Sequence, residues 1–204
     1  MQEKKRLLSE TIVFHNHYQI DKSIKEIKSL KNLIHVHAKF VIPRLPKENF
    51  RNFKKYGGGC LLDMGPYAAA VFRIFINQNY KKANFYISSK KDKKDLSTDF
   101  NIYIRAGKKT FFGYFSHNGE YENTLTLFTK QKRVTVNRVF SPPNDENLIL
   151  QVSDDHVKKE KKLKKDDAFL NYLRRIIILL KTKRFEKSYQ NLLKDSFFRE
   201  KLIK

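Results

Sequence analysis

The chain has 204 residues, of which 40% are hydrophobic and 13% aromatic, enough to bury one core and too apolar for a disordered segment. Lys and Arg number 43 against 21 Asp and Glu, a formal charge of +22 that draws polyanions. The excess is mostly Lys, spread along the chain and not gathered into an Arg-rich face, so specific nucleic-acid binding is not expected. The single cysteine, Cys60, excludes an internal disulfide and a cysteine-based zinc site. No apolar signal core opens the sequence and no fully apolar run approaches the ~20 residues of a membrane span, so a cytoplasmic chain without a membrane segment is expected.

In chain order, a first strand is predicted near Thr11–Tyr18 and a short helix near Asp21–Leu30, carrying Ile24, Ile27 and Leu30 at helical spacing. In LIHVHAKFVIP, Ile34, Val36, Ala38, Phe40 and Ile42 alternate with His35, His37 and Lys39, a strand with one buried face. Pro43 and Pro46 end it and open a loop to Tyr56. Gly57, Gly58 and Gly59 precede a buried helix containing Pro66. Proline lacks the N–H that later turns need, so the helix is expected to begin near Asp63. From Ala83 to Val152, the runs NFYIS, FNIYIRA, FFGYFSH, TLTLFT, RVTVNRVF and LILQV read as closely spaced strands of an antiparallel meander. The lysine run Lys158–Lys165 reads as a solvated surface. Two helices close the chain from Asp166 to its end, with Asp166 and Asp167 in the first turn. The sum is an α+β domain spanning residues 1–204: a large, mostly antiparallel open sheet with helices on one face.

The chemistry concentrates in GGGCLLDMGPY, residues 57–67, which holds four of the seven glycines. Consecutive glycines let backbone approach where a side chain would collide. Asp63 and Tyr67 stand at i and i+4 on one helix face. A phenol can pass a proton, and a carboxylate can orient it or a substrate hydroxyl. The same residues also suit a helix cap and a core aromatic, and spacing alone leaves both readings open. Arg44 and Arg51, in the preceding loop, either hold a substrate phosphate or lie solvated. His15 and His17, like His35 and His37, sit two apart, but no acidic or cysteine partner completes a metal set, and no metal is expected.

The run resembles the GGGxLxDxGx(H/Y) pattern of the Gfo/Idh/MocA oxidoreductases. The likeness extends over FHNHYQIDKSIKEIKS, LIHVHAKFVIP, the FRN at 50–52, NTLTLFTKQKRVTVNRVFSPP and the terminal helices. It implies that Asp63 and Tyr67 are catalytic, with Tyr67 as acid or base, and that Gly57–Gly59 form a turn beside the cofactor. It also implies a sugar or nucleotide-sugar substrate, approached by Arg44, Arg51 and His17, the last standing where the family has an arginine. The family's NAD or NADP is held by an N-terminal Rossmann domain whose EKP lysine completes the site. The sequence has neither GxGxxG nor EKP, and Met1 aligns within the helix after EKP. The expectation is therefore a substrate-binding and oligomerisation half with the Rossmann domain absent, residues 1–10 being the remnant of the preceding helix and linker, and 166–204 the C-terminal helices. Such a chain is expected to hold no cofactor alone, to work with a separate Rossmann-domain polypeptide and to form a homo-oligomer through its sheet. A non-catalytic interaction or oligomerisation protein is the alternative.

Overall fold

Strand β1 (His35–Val41) occupies the middle of an eight-stranded sheet in the computed structural model, which describes residues 6–203. Strands β2 (Asn84–Lys91), β3 (Ser97–Ala106) and β4 (Lys109–Ser116) form one antiparallel meander. A second comprises β5 (Glu122–Phe128), β6 (Lys132–Asn137), β7 (Ile149–Asp154) and β8 (Val157–Lys162). The spatial order is β2-β3-β4-β1-β5-β6-β7-β8, with β1 parallel to β4 and antiparallel to β5. The expected meander is thus real but split, because β1 joins its two halves edge to edge.

The alternation in β1 sets the layering. Val36, Ala38 and Phe40 are buried under the helices, while His35, His37 and Lys39 stand on the outer face. Phe100, Ile102, Phe111, Phe115, Leu125, Leu127, Val134 and Val136 continue the inner face. Against it lies α2 (Cys60–Val71), extended by a wide π-type turn over Phe72–Ile76. Its three successive alanines, Ala68–Ala70, are fully buried and let the helix axis come close to the sheet. The helical run Lys54–Ile76 is long and apolar enough to cross a membrane by length and composition, but 67% of its apolar 18-residue window is buried in the fold, as in a core helix.

The N-terminal strand does not form. Residues Val13–Asn16 make a 3₁₀ turn, and helix α1 runs Tyr18–Glu26. No sheet edge lies beside this segment. Its polar groups go to the start of α3 (Ala168–Thr182): Tyr18 N donates to Asp166 Oδ2 at 2.6 Å and Asn171 Nδ2 to the Asn16 carbonyl at 3.1 Å. Helix α2 also starts earlier than expected, at Cys60, leaving Pro66 inside it. The proline denies Leu62 O its usual donor, and the exposure of Leu62 leaves that carbonyl to water. Strand β8 was hidden in the lysine run. All its residues are exposed, it pairs with β7 through backbone, and its lysines guard a free sheet edge.

Asp167 caps α3, accepting from Phe169 N and Leu170 N. Helix α4 (Glu186–Ile203) returns against α2, with Phe198 beside Phe72 and Asp195 bound by Arg73 Nε at 2.8 Å. Of the segment expected to be a linker remnant, residues 1–5 lie outside the described residues. Ser9 and Glu10 are tied to the terminal helices through Tyr172 and Arg199.

Candidate active site

The glycine run builds the site by backbone packing. Gly57 adopts a left-handed φ of 74° and closes the loop. Gly58 N donates to Phe53 O and Gly59 N to Arg51 O, at 3.1 and 2.9 Å. A Cβ on Gly58 would lie 2.3 Å from the Arg51 carbonyl oxygen, so only glycine lets the Phe50–Asn52 turn fold onto the start of α2. Gly59, the N-cap, has no side chain to offer the helix, and Ser97 Oγ at the start of β3 accepts from Leu61 N at 2.7 Å instead.

That turn delivers Arg51 to Asp63, in the first turn of α2. Arg51 Nε lies 2.8 Å from Asp63 Oδ1, an ion pair without an aligned N–H, since Nε has no hydrogen-bond partner among the described residues. On the other side His117 Nε2 donates to Asp63 Oδ2 at 3.0 Å. Burial pushes the Asp63 carboxyl up, but His117 and Arg51 more than offset it and hold the group below its ordinary value. Asp63 is therefore an anion at neutral pH with both oxygens engaged by cationic or donor groups.

Tyr67 stands one turn further along α2. Its ring is packed by Phe14, Phe40 and Phe140, at centroid distances of 6.1, 5.3 and 5.6 Å. Burial raises its phenol, the Asp63 charge raises it further and Arg51 opposes both. A phenol is protonated at neutral pH in any case and these influences do not change that; the hydroxyl has no hydrogen-bond partner among the described residues.

A hollow of about 250 Å³ opens on the Arg51 and His117 side of Asp63, lined by Arg44, Arg51, Ser97, Thr98, His117 and Asn118; Tyr67 is not among its lining residues. Arg44, Arg51, Asp63 and the glycine turn are thus brought into one neighbourhood. His17 is not. It is buried as the N-cap of α1, where Nδ1 accepts from Gln19 N and Nε2 meets the Asp166 carbonyl, so both ring nitrogens are committed to structure. His117 is the residue the sequence did not disclose. It follows β4, 54 positions from Asp63, and reaches the site because its N–H donates to Thr98 O on the neighbouring strand.

The remaining candidates are dispersed. His15 faces Arg175, and His35 and His37 lie on the outer sheet face. Among the described residues no three His, Cys, Asp or Glu converge as a metal set. Cys60 is buried, 3.7 Å from Met64 Sδ, and burial pushes its thiol far up, which suits packing and not nucleophilic attack.

The eight-stranded open sheet with one face under helices is a fold shared with solved sugar and nucleotide-sugar oxidoreductases of the Gfo/Idh/MocA type. No protein-family model matches the sequence. The chain is similar to dTDP-3,4-didehydro-2,6-dideoxy-alpha-D-glucose 3-reductase of Saccharopolyspora spinosa, 27% identical over 169 residues, which is 80% of this chain and 50% of that one. A 3-ketoreductase from Actinomadura kijaniata, solved with NADP and TDP-benzene, superposes with a TM-score of 0.85 at 21% identity, over 97% of this chain and 62% of that one. An aldose-aldose oxidoreductase from Caulobacter crescentus does so with a TM-score of 0.78 at 13% identity, over 97% and 62%. The chain spans about half to three-fifths of the length of these proteins.

Proposed function

We propose that this chain is the substrate side of an NAD(P)-dependent oxidoreductase acting on a sugar or nucleotide-sugar carbonyl. Tyr67 delivers the proton to the carbonyl oxygen. The observation that supports this is the pairing on one face of α2: the protonated Tyr67 phenol stands one turn from the Asp63 anion, whose partners Arg51 and His117 line the hollow together with Arg44. The pair of guanidinium groups suits a substrate diphosphate. Asp63 holds Arg51 and His117 in place.

The described residues do not fit a dinucleotide cradle of their own. The glycine turn before α2 follows 3₁₀ turns and not a strand, and the Leu61 N–H at that helix start is taken by Ser97. The nicotinamide, which supplies hydride, belongs on this reading to a separate nucleotide-binding unit. Leu170, Leu173, Ile177 and Leu180 of α3 form an exposed apolar ridge at helical spacing, which offers that unit a seat. The chain alone is then inactive and binds neither NAD nor NADP.

The test is co-expression with the nucleotide-binding unit of a related 3-ketoreductase and assay of NADPH oxidation with a keto nucleotide-sugar. Tyr67→Phe keeps the ring packing and is expected to lower kcat by ~10²–10⁴-fold. Equal kcat for Tyr67→Phe and wild type ends the assignment. A complex that assembles and binds NADPH but shows no turnover in the wild type favours a non-catalytic interaction protein. For that second reading, the specific observation is the outer sheet face, where Tyr86 and Tyr103 remain exposed.

A further inference from the structure

A second, roomier hollow lies far from Asp63. It measures about 810 Å³ and lies where three turns meet at the opposite end of the strands. The segment after α1 contributes Lys28 and Lys31, the β3–β4 turn Lys108 and Lys109, and the β5–β6 turn Lys130 and Lys132. Six of its thirteen lining residues are lysines and none is acidic. Lys and Arg together make up 43 of the 204 residues, so the basin carries about twice the basic share of the chain at large. Helix α2 and its π-type turn, Cys60–Ile76, separate the two hollows by roughly 25 Å at ~1.5 Å per residue.

Two of the six lysines are already occupied. Lys132 pairs with Asp154 at 2.7 Å. Lys109 Nζ donates to the carbonyls of Phe75 and Ile76, at 3.2 and 3.1 Å, and so neutralises the negative end of the helical run that points at the basin. Lys28, Lys31, Lys108 and Lys130 are exposed and make no ion pair among the described residues. Four like charges around one concavity repel one another, and a multivalent anion at their centre relieves that repulsion. Asn32 and Gln131 add neutral donors at the rim, and the volume falls in the range of small-ligand sites.

We infer that this basin binds a small, multiply phosphorylated anion. Lysines on three separate turns surround a hollow and do not form a stripe, a geometry suited to a compact ligand approached from several sides and not to the regular phosphate track of a duplex. The site is independent of the chemistry proposed at Tyr67, and its test needs no turnover.

The test is calorimetric titration of the whole chain with inorganic tripolyphosphate, at low and at physiological salt. The variant carrying Lys28→Gln, Lys31→Gln, Lys108→Gln and Lys130→Gln is compared with one carrying Lys158→Gln, Lys159→Gln, Lys164→Gln and Lys165→Gln. Both lose four positive charges from exposed positions, so long-range attraction falls equally in the two. Wild type is expected to bind with one site, the basin variant to weaken about tenfold or more, and the distant variant to change less than about twofold. If the basin variant fails to fold, Lys31→Gln and Lys130→Gln are titrated singly, each expected to weaken binding where Lys158→Gln does not. Equal weakening by both sets, no binding by wild type, or a short duplex DNA displacing the probe equally well from both variants overturns the inference.

Discussion

His15 makes the stability of this chain depend on pH, in a direction that the structure fixes. Its Nε2 lies 3.2 Å from Arg175 Nη1, and as a neutral ring it accepts that hydrogen bond. Burial, and then the charges of Arg73 and Arg175, lower its pKa from 6.5 to about 4. The folded value lies below the unfolded one, so the unfolded chain takes up the proton first as pH falls. Stability from this residue is therefore full above pH 6.5, declines as pH drops, and stops declining near pH 4. That difference in pKa corresponds to about 3 kcal/mol, a large fraction of a typical domain's ~5–15 kcal/mol. His17, His35 and His37 are lowered as well, burial being the leading cause in each, and they add to the same slope. The assay is urea denaturation from pH 7.5 to 4.5 for wild type and His15→Gln, whose amide oxygen can accept from Arg175 without titrating. Wild type should lose markedly more stability over that interval than the variant. Parallel profiles for the two proteins would refute the reasoning.

Gly58→Ala should destabilise the fold far more than Gly57→Ala. The first drives a Cβ into the Arg51 carbonyl, whereas the second meets open space and incurs only the left-handed φ, about 1 kcal/mol; thermal melts of both variants check the order. Asp63→Ala leaves Arg51 and His117 without their shared anion and should cost about 1–2 kcal/mol at pH 7, the partial exposure of the pair limiting the effect. Because the Asp63 carboxyl is held below its ordinary value, that cost should vanish as pH falls through its folded pKa, which urea melts at acid pH would show. Self-association is expected through the outer sheet face at moderate salt, and Tyr103→Glu should weaken it; a wild type that sediments only as monomer at tens of micromolar contradicts this.

The parts of the fold visible in the sequence were those where one face is dry and the other wet. The inner positions of β1 and the alternating strands β3 to β7 carry that contrast, and the structure places them as read. Strand β8 carries no such contrast. With both faces in water, VKKEKK looks like any solvated run, and only the backbone of β7 makes it a strand. The opposite error arose at Thr11–Tyr18, whose apolar alternation met no sheet edge and was claimed by α3. Helix α2 starts a turn before the point Pro66 suggests, because the donor the proline lacks would serve only the carbonyl of the exposed Leu62. In the candidate site, Gly57–Gly59, Asp63 and Tyr67 all belong to one contiguous run. His117 was not, since its partner lies 54 residues away and only the register of β3 against β4 brings it there.

The clamp on Asp63 divides the work between the two residues the helix presents together. A carboxylate that is to accept a proton needs a raised pKa, and that of Asp63 is lowered by the Arg51 and His117 that stand at its two oxygens. Tyr67 is the opposite, with a raised pKa and a hydroxyl that has no partner among the described residues. On the reading proposed above, the proton therefore moves at Tyr67 in the reductive direction, and Asp63 acts through its charge. That charge adds to the burial that raises the phenol, and anchors the guanidinium that would meet a substrate phosphate. Asp63→Asn should then act in two separable ways in the reconstituted enzyme. KM should rise because Arg51 loses its counter-charge, and the alkaline limb of the kcat profile should move to lower pH because the phenol loses the anion that raises it. A variant with lowered kcat but an unshifted alkaline limb would place Asp63 in the proton transfer itself.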